Sequence, residues 1–323
     1  TKQTYEQFSK LKKKYDLEKV STKKLTAYIS FYICEGAYRY DSSDLELAAS
    51  KCKEADTLYR KAGLYNKSKS SEKYIAHMAG QLYAWSYYYS NNNDYYKLAK
   101  KYSNIIIENS KLNSKKFDNF LTSAFKNKVI IFRVRLNLKK ALKNQEKVLE
   151  SLGCFLNRTE LKKNFLKRCA DENSDYSILL MDTGINENYE KAEKILKKII
   201  KFENEDEINI YTKNSVRSGL YQFYIYKRNY DEAEKYIYEA VTLLKGTNQR
   251  ETYYENLRKL YKVFIARGQS FDAKKGLKNL ILEIEDNFGS ESIQLIEPIS
   301  DYINLLTSNL DHTNDNEEYA ARL

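Results

Sequence analysis

The sequence is poor in the two residues that interrupt helices. Only one of its 323 residues is proline and only ten are glycine, whereas proline alone makes up about one residue in twenty of an average protein. Sandwiches, barrels and doubly wound sheets need these residues in their turns. Their scarcity argues against those folds and predicts an all-α protein whose long helices are joined by short polar turns.

Residues that carry out catalysis or hold cofactors are also scarce. The chain has two histidines, no glycine-rich phosphate-binding loop, and no local Cys/His or Ser/His/Asp signature. We therefore expect no enzymatic activity, no cofactor and no bound metal. No run of 18 apolar residues occurs in the sequence, so we expect no membrane span.

The cysteines indicate a cellular compartment. They are Cys34, Cys52, Cys154 and Cys169, and no two of them form a C-x-x-C pair. A zinc site would require such clustering. The spacing therefore predicts four buried thiols in a reducing compartment, and hence a cytoplasmic protein.

The positive charge is concentrated in the first half of the chain. Residues 1–170 carry 35 Lys and Arg against 16 Asp and Glu, a net charge of +19, and residues 171–323 carry 20 against 28, a net charge of −8. An asymmetry of this kind indicates an anionic partner for one half, or an acidic surface on a partner protein.

The most basic segment, residues 111–168, has 16 basic and 4 acidic side chains. Such a patch is what contacts to nucleic-acid phosphates require, and neighbouring aromatics such as Phe132 would add base stacking. The alternative is the solvated outer face of a helix. The candidate patch residues are Arg133, Arg135, Lys139, Lys140, Lys143, Lys147, Lys162, Lys163, Lys167 and Arg168.

A short element ending in alanine recurs along the chain. Residues 188–192 read NYEKA and residues 229–233 read NYDEA, so that their alanines lie 41 residues apart. Weaker copies extend the series to seven alanine anchors, spaced by 51, 42, 51, 41, 40 and 48 residues, which indicates a repeat architecture. The anchors are Ala48, Ala99, Ala141, Ala192, Ala233, Ala273 and Ala321.

Each anchor is flanked by helical patterns. Apolar residues lie four, seven, eight and eleven positions after Ala233, which places them on one face of an α-helix. Another apolar helix precedes the anchor. The repeat unit is therefore predicted to be a first helix, a tight polar turn and a second helix, with the alanine where the two helices approach each other.

This pattern resembles the tetratricopeptide (TPR) repeat superfamily. The best-matching positions are Leu220, Tyr224, Asn229, Tyr230, Ala233, Ile237 and Ala240. Two features depart from the family: the tryptophan common on the first helix is absent, and so is the closing proline. The period of about 42 residues is similar to that of the longer-helix variety, which occurs in kinesin light chains, in bacterial peptide-sensing regulators and in arrays fused to effector enzymes.

The resemblance implies a right-handed superhelix, or α-solenoid, of about seven stacked helix pairs, because one pair cannot bury its apolar face alone. We expect it to span residues 25–323, after an N-terminal capping helix at residues 1–24. Residues 317–323 resemble the opening of a second helix. Either the last helix is short, or the chain was cut inside a larger protein.

In such arrays, inward-facing side chains of the first helices line a concave groove that holds a peptide. We therefore expect a non-enzymatic scaffold that binds a peptide or protein. One alternative is a sensor array that binds a signal peptide or controls an effector such as a caspase-like protease. A second is nucleic-acid or ribonucleoprotein binding through residues 111–168. The groove candidates are Tyr83, Tyr87, Asn214, Arg217, Tyr221, Asn256 and Lys259.

Overall fold

A computed structural model of the chain describes residues 21–40, 44–65, 69–110, 119–154, 163–201 and 208–308. These residues form thirteen α-helices and no β-strand, which confirms the prediction of an all-α protein. Contacts divide the chain into two compact units, Thr1–Asn157 and Arg158–Leu323. The predicted capping helix lies largely outside the described residues.

The described part of the first unit consists of three helix pairs. Each pair is a first helix followed by an antiparallel second helix, and neighbouring pairs pack side by side. The helices are α1 (Thr22–Tyr40), α2 (Leu45–Lys61), α3 (Lys69–Ser90), α4 (Asn93–Asn109), α5 (Asn119–Val134) and α6 (Leu138–Leu152).

The described part of the second unit contains three further pairs and one more first helix. Its last helix carries Pro298 in the first turn, where proline is tolerated. The helices are α7 (Lys163–Asp182), α8 (Asn186–Lys201), α9 (Ile210–Tyr226), α10 (Tyr230–Leu244), α11 (Arg250–Ala266), α12 (Ser270–Phe288) and, after a short 3-10 helix at Ile293–Leu295, α13 (Ile296–Ser308).

The alanine anchors lie in the second helix of each pair, as predicted. Each of the six that the structure describes is at most 2% exposed. A larger side chain there would push the paired helices apart, which explains why the anchor repeats. The six are Ala48, Ala99, Ala141, Ala192, Ala233 and Ala273, and Ala321 lies outside the described residues.

In five of the described pairs, two or three residues join the two helices. One residue of each of these turns adopts a positive φ. In the α9–α10 turn, the N–H of Asn229 donates to the carbonyl of Tyr224 at 2.9 Å, and the Asn229 side chain accepts from the N–H of Glu232 at 3.3 Å. The first bond closes the end of one helix and the second caps the next. The positive-φ residues are Asn91, Leu136, Gly184, Arg228 and Gly268.

Longer first helices account for part of the two spacings of 51 residues. Helix α3 has 22 residues and α7 has 20, whereas α5, α9 and α11 have 16 or 17. The sequence leaves two interpretations of these units open: long loops, with residues 66–71 and 157–173 as candidates, or an extra helix. Helix α7 begins at Lys163, so most of the second candidate segment is helical instead.

The prediction of four free thiols is wrong, because all four cysteines are disulfide-bonded. Cys34 on α1 and Cys52 on α2 form a disulfide whose Cα atoms are 4.6 Å apart, and both residues are fully buried. The small side chains on these paired helices bring the backbones within the distance that a disulfide spans. The prediction of a reducing compartment rested on four thiols and loses that support.

Candidate functional site

Two of the seven groove candidates lie in the core of the first unit. Tyr83 is 3% exposed and Tyr87 is 2% exposed. The ring of Tyr83 is parallel to that of Tyr102 on α4 at 6.1 Å, and burial raises the pKa of Tyr83 to about 12. Both tyrosines face the second helix of their own pair rather than a groove, so their assignment as partner contacts is wrong.

The aromatic run around them is divided between core and surface. Trp85, Tyr88 and Tyr89 are 37%, 52% and 72% exposed, and their rings contact one another at centroid distances of 5.2 to 6.3 Å. Helical periodicity alone could not decide which of these neighbours faces outward. The structure places Tyr87 inside and the other three outside.

The remaining candidates lie in the second unit, where α9 and α11 meet. The side-chain amide of Asn256, which is 1% exposed, donates from Nδ2 to Oδ1 of Asn214 at 2.7 Å. Asn214 itself is half-buried. The structure shows no partner for its Nδ2 group among the described residues, so its two amide hydrogens are available to a carbonyl oxygen. The buried Asn256 therefore positions the side chain of Asn214 and is not itself exposed to a partner.

Arg217 is directed toward its own helix pair. Its Nε lies 2.9 Å from Oε2 of Glu239 on α10, and its Nη1 donates to the carbonyl of Lys213 at 3.2 Å. Only 12% of its side chain is exposed. We therefore correct its assignment to the groove: the residue joins α9 to α10.

Tyr221 lies half-buried beside a group of charged side chains. Burial is the main reason that the pKa of Tyr221 is raised to about 12, and the neighbouring carboxylate of Glu255 adds to the effect, whereas Arg258 opposes it. Lys259 pairs with Glu255 at 3.4 Å. Both remaining candidates, Tyr221 and Lys259, therefore lie beside the charged residues of α11.

The centre of this charged group is Arg258. Its side chain is 13% exposed, its Nε lies 3.1 Å from Oε2 of Glu255, and it also pairs with Glu297 on α13. Asp301 on α13 lies 3.6 Å from its Nη1. The sequence prediction missed this network because its members come from two helices about 40 residues apart.

Two clefts open between first helices of the second unit. The α7–α9 cleft has a volume of about 260 Å³ and the α11–α13 cleft about 220 Å³. Asp171, Ser174, Asp175, Asn209, Tyr211, Thr212 and Ser215 line the former. Glu251, Tyr254, Glu255, Arg258, Ile284, Ile293, Gln294, Glu297 and Pro298 line the latter.

The walls of both clefts are held by hydrogen bonds between helices. In the α7–α9 cleft the hydroxyls of Ser174 and Ser215 are 2.9 Å apart, and the hydroxyl of Thr212 donates to Asp171. In the α11–α13 cleft Nε2 of Gln294 donates to Oε1 of Glu251 at 3.2 Å. The only signal in the sequence was helical spacing of acids, such as Asp171 and Asp175 one turn apart.

Part of the predicted basic patch packs on the protein's own aromatic rings. The Arg135 guanidinium lies 3.8 Å from the ring centroid of Tyr96, and Lys140 and Lys147 lie over Phe132 and Phe125. Phe132 is 7% exposed, which rules it out as a base-stacking platform. Arg133, Lys139 and Lys143 are exposed, Lys162 lies outside the described residues, and the side chains of Lys163, Lys167 and Arg168 are likewise not described.

A metal site and a membrane-spanning helix are both missing from the part of the chain that the structure describes. No group of three or more His, Cys, Asp or Glu side chains there could hold a metal ion. None of the helices described is long and apolar enough to cross a membrane.

Solved structures share the helical-repeat fold of this chain at low sequence identity. The peptide-bound form of NprR, described as being in complex with its cognate peptide NprX, aligns over 99% of this chain and 82% of its own, with a TM-score of 0.58 and 13% identity. The apo form of the quorum sensor NprR from B. thuringiensis aligns over 99% and 92%, with a TM-score of 0.55 and 16% identity. The assembly chaperone of RpL4 aligns over 84% and 93%, with a TM-score of 0.50 and 11% identity. No family model and no curated protein matches the sequence.

Proposed function

We propose, for a chain that has the TPR-like fold, that the protein is a non-enzymatic scaffold that binds a peptide or protein partner on the first-helix face of its second unit. We define this face by Asn214, Ser218 and Tyr221 on α9 and by Glu255 and Arg258 on α11. A sensor array would be such a scaffold with a signal peptide as its partner.

The observation that carries the proposal is the paired amides on neighbouring first helices. The contact of 2.7 Å from Asn256 occupies the oxygen of Asn214 and leaves its N–H groups for another acceptor. An extended peptide presents backbone carbonyls at regular intervals, and amide side chains are suited to bind them. The peptide in the NprR complex supports the proposal to the extent that the shared fold can accommodate such a partner.

The test uses a library of random peptides displayed against the full chain. We expect a set of peptides to be enriched and to lose roughly tenfold in affinity with Asn214→Ala, since one hydrogen bond to the peptide is lost. Asn279→Ala is the matched control, because Asn279 is an exposed asparagine on the second helix α12.

Asn214→Ala also leaves Asn256 without its acceptor, so folding is checked by urea denaturation of each variant. The proposal fails if no peptide is enriched by the wild-type chain, or if the two alanine variants weaken binding equally while both remain folded. Arg217 is unsuitable for this test because its Nε contacts Glu239. The substitution Arg217→Glu would place a second carboxylate beside that of Glu239.

A further inference from the structure

We infer that a cluster of lysines on the first unit binds the phosphate groups of a nucleic-acid strand without reading its sequence. The cluster is centred on α5, which packs against both α4 and α6. The inference goes beyond peptide binding, because it concerns the other unit and a second partner. We define the lysine cluster by Lys128 on α5, Lys100 on α4, and Lys140 and Lys147 on α6.

The contacts between α5 and α6 place Lys128 between two lysines of α6. Phe125, Lys128 and Phe132 are three and four residues apart, so they share one face of α5. Nζ of Lys147 lies 5.2 Å from the ring centroid of Phe125, and Nζ of Lys140 lies 5.7 Å from that of Phe132. The two lysines of α6 therefore lie on either side of Lys128 along this face.

The register of α4 and α5 brings Lys100 to the same place. Nη2 of Arg135, the residue directly after α5, donates to Oδ1 of Asn93 at the start of α4. The two helices run in opposite directions, so a residue seven positions after Asn93 lies opposite one seven positions before Arg135. Lys100 and Lys128 occupy those two positions.

The ammonium group of Lys128 is half-buried and close to other positive charges. Burial is the main reason that the pKa of Lys128 is lowered, and the charges of Lys147 and Lys100 add to the effect, whereas the Glu108 carboxylate opposes it. An anion among these lysines would reduce their repulsion and favour the charged form of Lys128. Binding an anion therefore stabilises the cluster.

The lysines of the cluster form no ion pair with a carboxylate of the described residues. Three of them lie over aromatic rings instead, with Nζ of Lys100 at 6.0 Å from the ring centroid of Tyr96. Such a contact holds an ammonium group in place and leaves N–H donors for an acceptor. Helices α4, α5 and α6 carry ten Lys and Arg against four Asp and Glu, so the surrounding potential also attracts an anion.

The arrangement favours several phosphates in a row over a single anion. Lys140 and Lys147 are two helical turns apart, about 10 Å along α6, and the closely spaced phosphates of a strand can contact both. Lysine binds phosphate as a point charge, whereas the planar fork of arginine is better suited to carboxylates. The nearby Arg135 already donates to Asn93 and Tyr87. An acidic protein is therefore the less suitable partner.

The rings beneath the lysines cannot contact the bases. Phe125 is 2% exposed and Phe132 is 7% exposed, so neither can stack on a base. Contacts to phosphates position a nucleic acid but carry no sequence information. We therefore expect strands of different sequence to bind alike.

The test measures binding of a fluorescent single-stranded DNA of mixed sequence to the full chain at a series of salt concentrations. Four phosphate contacts predict a slope of about −3 for the logarithm of the association constant against that of the salt concentration, since each contributes about −0.7. We expect Lys128→Gln/Lys147→Gln to reduce this slope by roughly half and to weaken binding about tenfold at low salt.

The matched control, Lys53→Gln/Lys61→Gln, removes the same charge from exposed positions on α2. Because Lys128 is half-buried, circular dichroism checks that its variant folds. Lys100→Gln/Lys140→Gln changes only exposed members of the cluster, so it tests the same prediction with less effect on packing.

Each result has a separate meaning. A reduced slope in both cluster variants and not in the control supports the inference. Absence of DNA binding at low salt, or equal losses in the cluster variants and the control, overturns it. A poly-glutamate peptide that competes as well as DNA at equal charge overturns the choice of nucleic acid. Peptide selection depends on the second unit and is measured separately, so neither result decides the other.

Discussion

At the scale of single residues, one buried carboxylate organises the first unit. Asp56 on α2 is 4% exposed. Its Oδ1 accepts from Nε of Arg60 and from the hydroxyl of Tyr65, both at 3.0 Å, and its Oδ2 accepts from the hydroxyl of Tyr102 on α4 at 3.2 Å. Burial and the nearby Asp56 carboxylate raise the pKa of both tyrosines. The carboxylate thus connects two helix pairs.

Replacing this carboxylate should be costly. We expect Asp56→Ala to lower the free energy of unfolding by about 3 kcal/mol, because the buried hydroxyl of Tyr102, the half-buried hydroxyl of Tyr65 and a cation lose their acceptor. Urea denaturation measures the change. The control is Asp94→Ala, since Asp94 is 76% exposed and pairs with Lys97 at 3.0 Å; there we expect at most about 1 kcal/mol. A similar loss at both positions would contradict the role of Asp56.

At the scale of helices, close contact within a pair limits the size of side chains. A Cβ atom built on Gly276 of α12 would lie 2.3 Å from Cε1 of Tyr261 on α11. The ring therefore packs directly on the glycine backbone. Among the residues that the structure describes, no atom lies within 4 Å of the corresponding position at Gly36 on α1. The two helical glycines therefore differ in their described surroundings.

Alanine should therefore have opposite effects at these two glycines. We expect Gly276→Ala to destabilise the protein by about 1–3 kcal/mol, since the Tyr261 ring must move. We expect Gly36→Ala to stabilise it by roughly 0.5–1 kcal/mol, because alanine favours the helix. Thermal or urea unfolding of both variants decides the matter, and stabilisation by Gly276→Ala would show that the contact is not tight.

The helices were predictable from the sequence because their signals are local. The anchor alanines and the asparagine caps such as Asn229 follow from spacing within one pair. The contacts of Tyr83 and Arg217 with the second helices of their pairs were not predictable. Periodicity identifies the face of a helix but not the neighbouring element that covers this face. The Cys34–Cys52 bond and the two clefts depend on which residues of different helices meet, and a single sequence does not specify that.

At the scale of the whole molecule, we expect the buried tyrosines with raised pKa values to make stability sensitive to alkaline pH. The pKa values of Tyr83 and Tyr221 are raised to about 12 from 10, in both cases chiefly by burial. An unfolded chain releases these protons near pH 10, whereas the folded chain retains them. The unfolded state is therefore favoured as pH rises above 10.

We expect the urea midpoint to fall between pH 10 and 12, with a contribution of at most about 1.4 kcal/mol per pH unit from each buried tyrosine. Comparing midpoints at about pH 8 and about pH 11 measures the loss. Tyr83→Phe should reduce this pH dependence, whereas Tyr89→Phe, at a residue that is 72% exposed, should not. Equal pH dependence in both variants would argue against burial as the cause.

The short turns within each pair have a consequence for the order in which the protein folds. Because only two or three residues separate the helices in five of the pairs, bringing those helices together closes a small loop and sacrifices little chain entropy. Contacts between residues near in sequence form quickly. Helical hairpins are therefore the natural early species in folding, and the stacking of one hairpin on the next is the later, slower step.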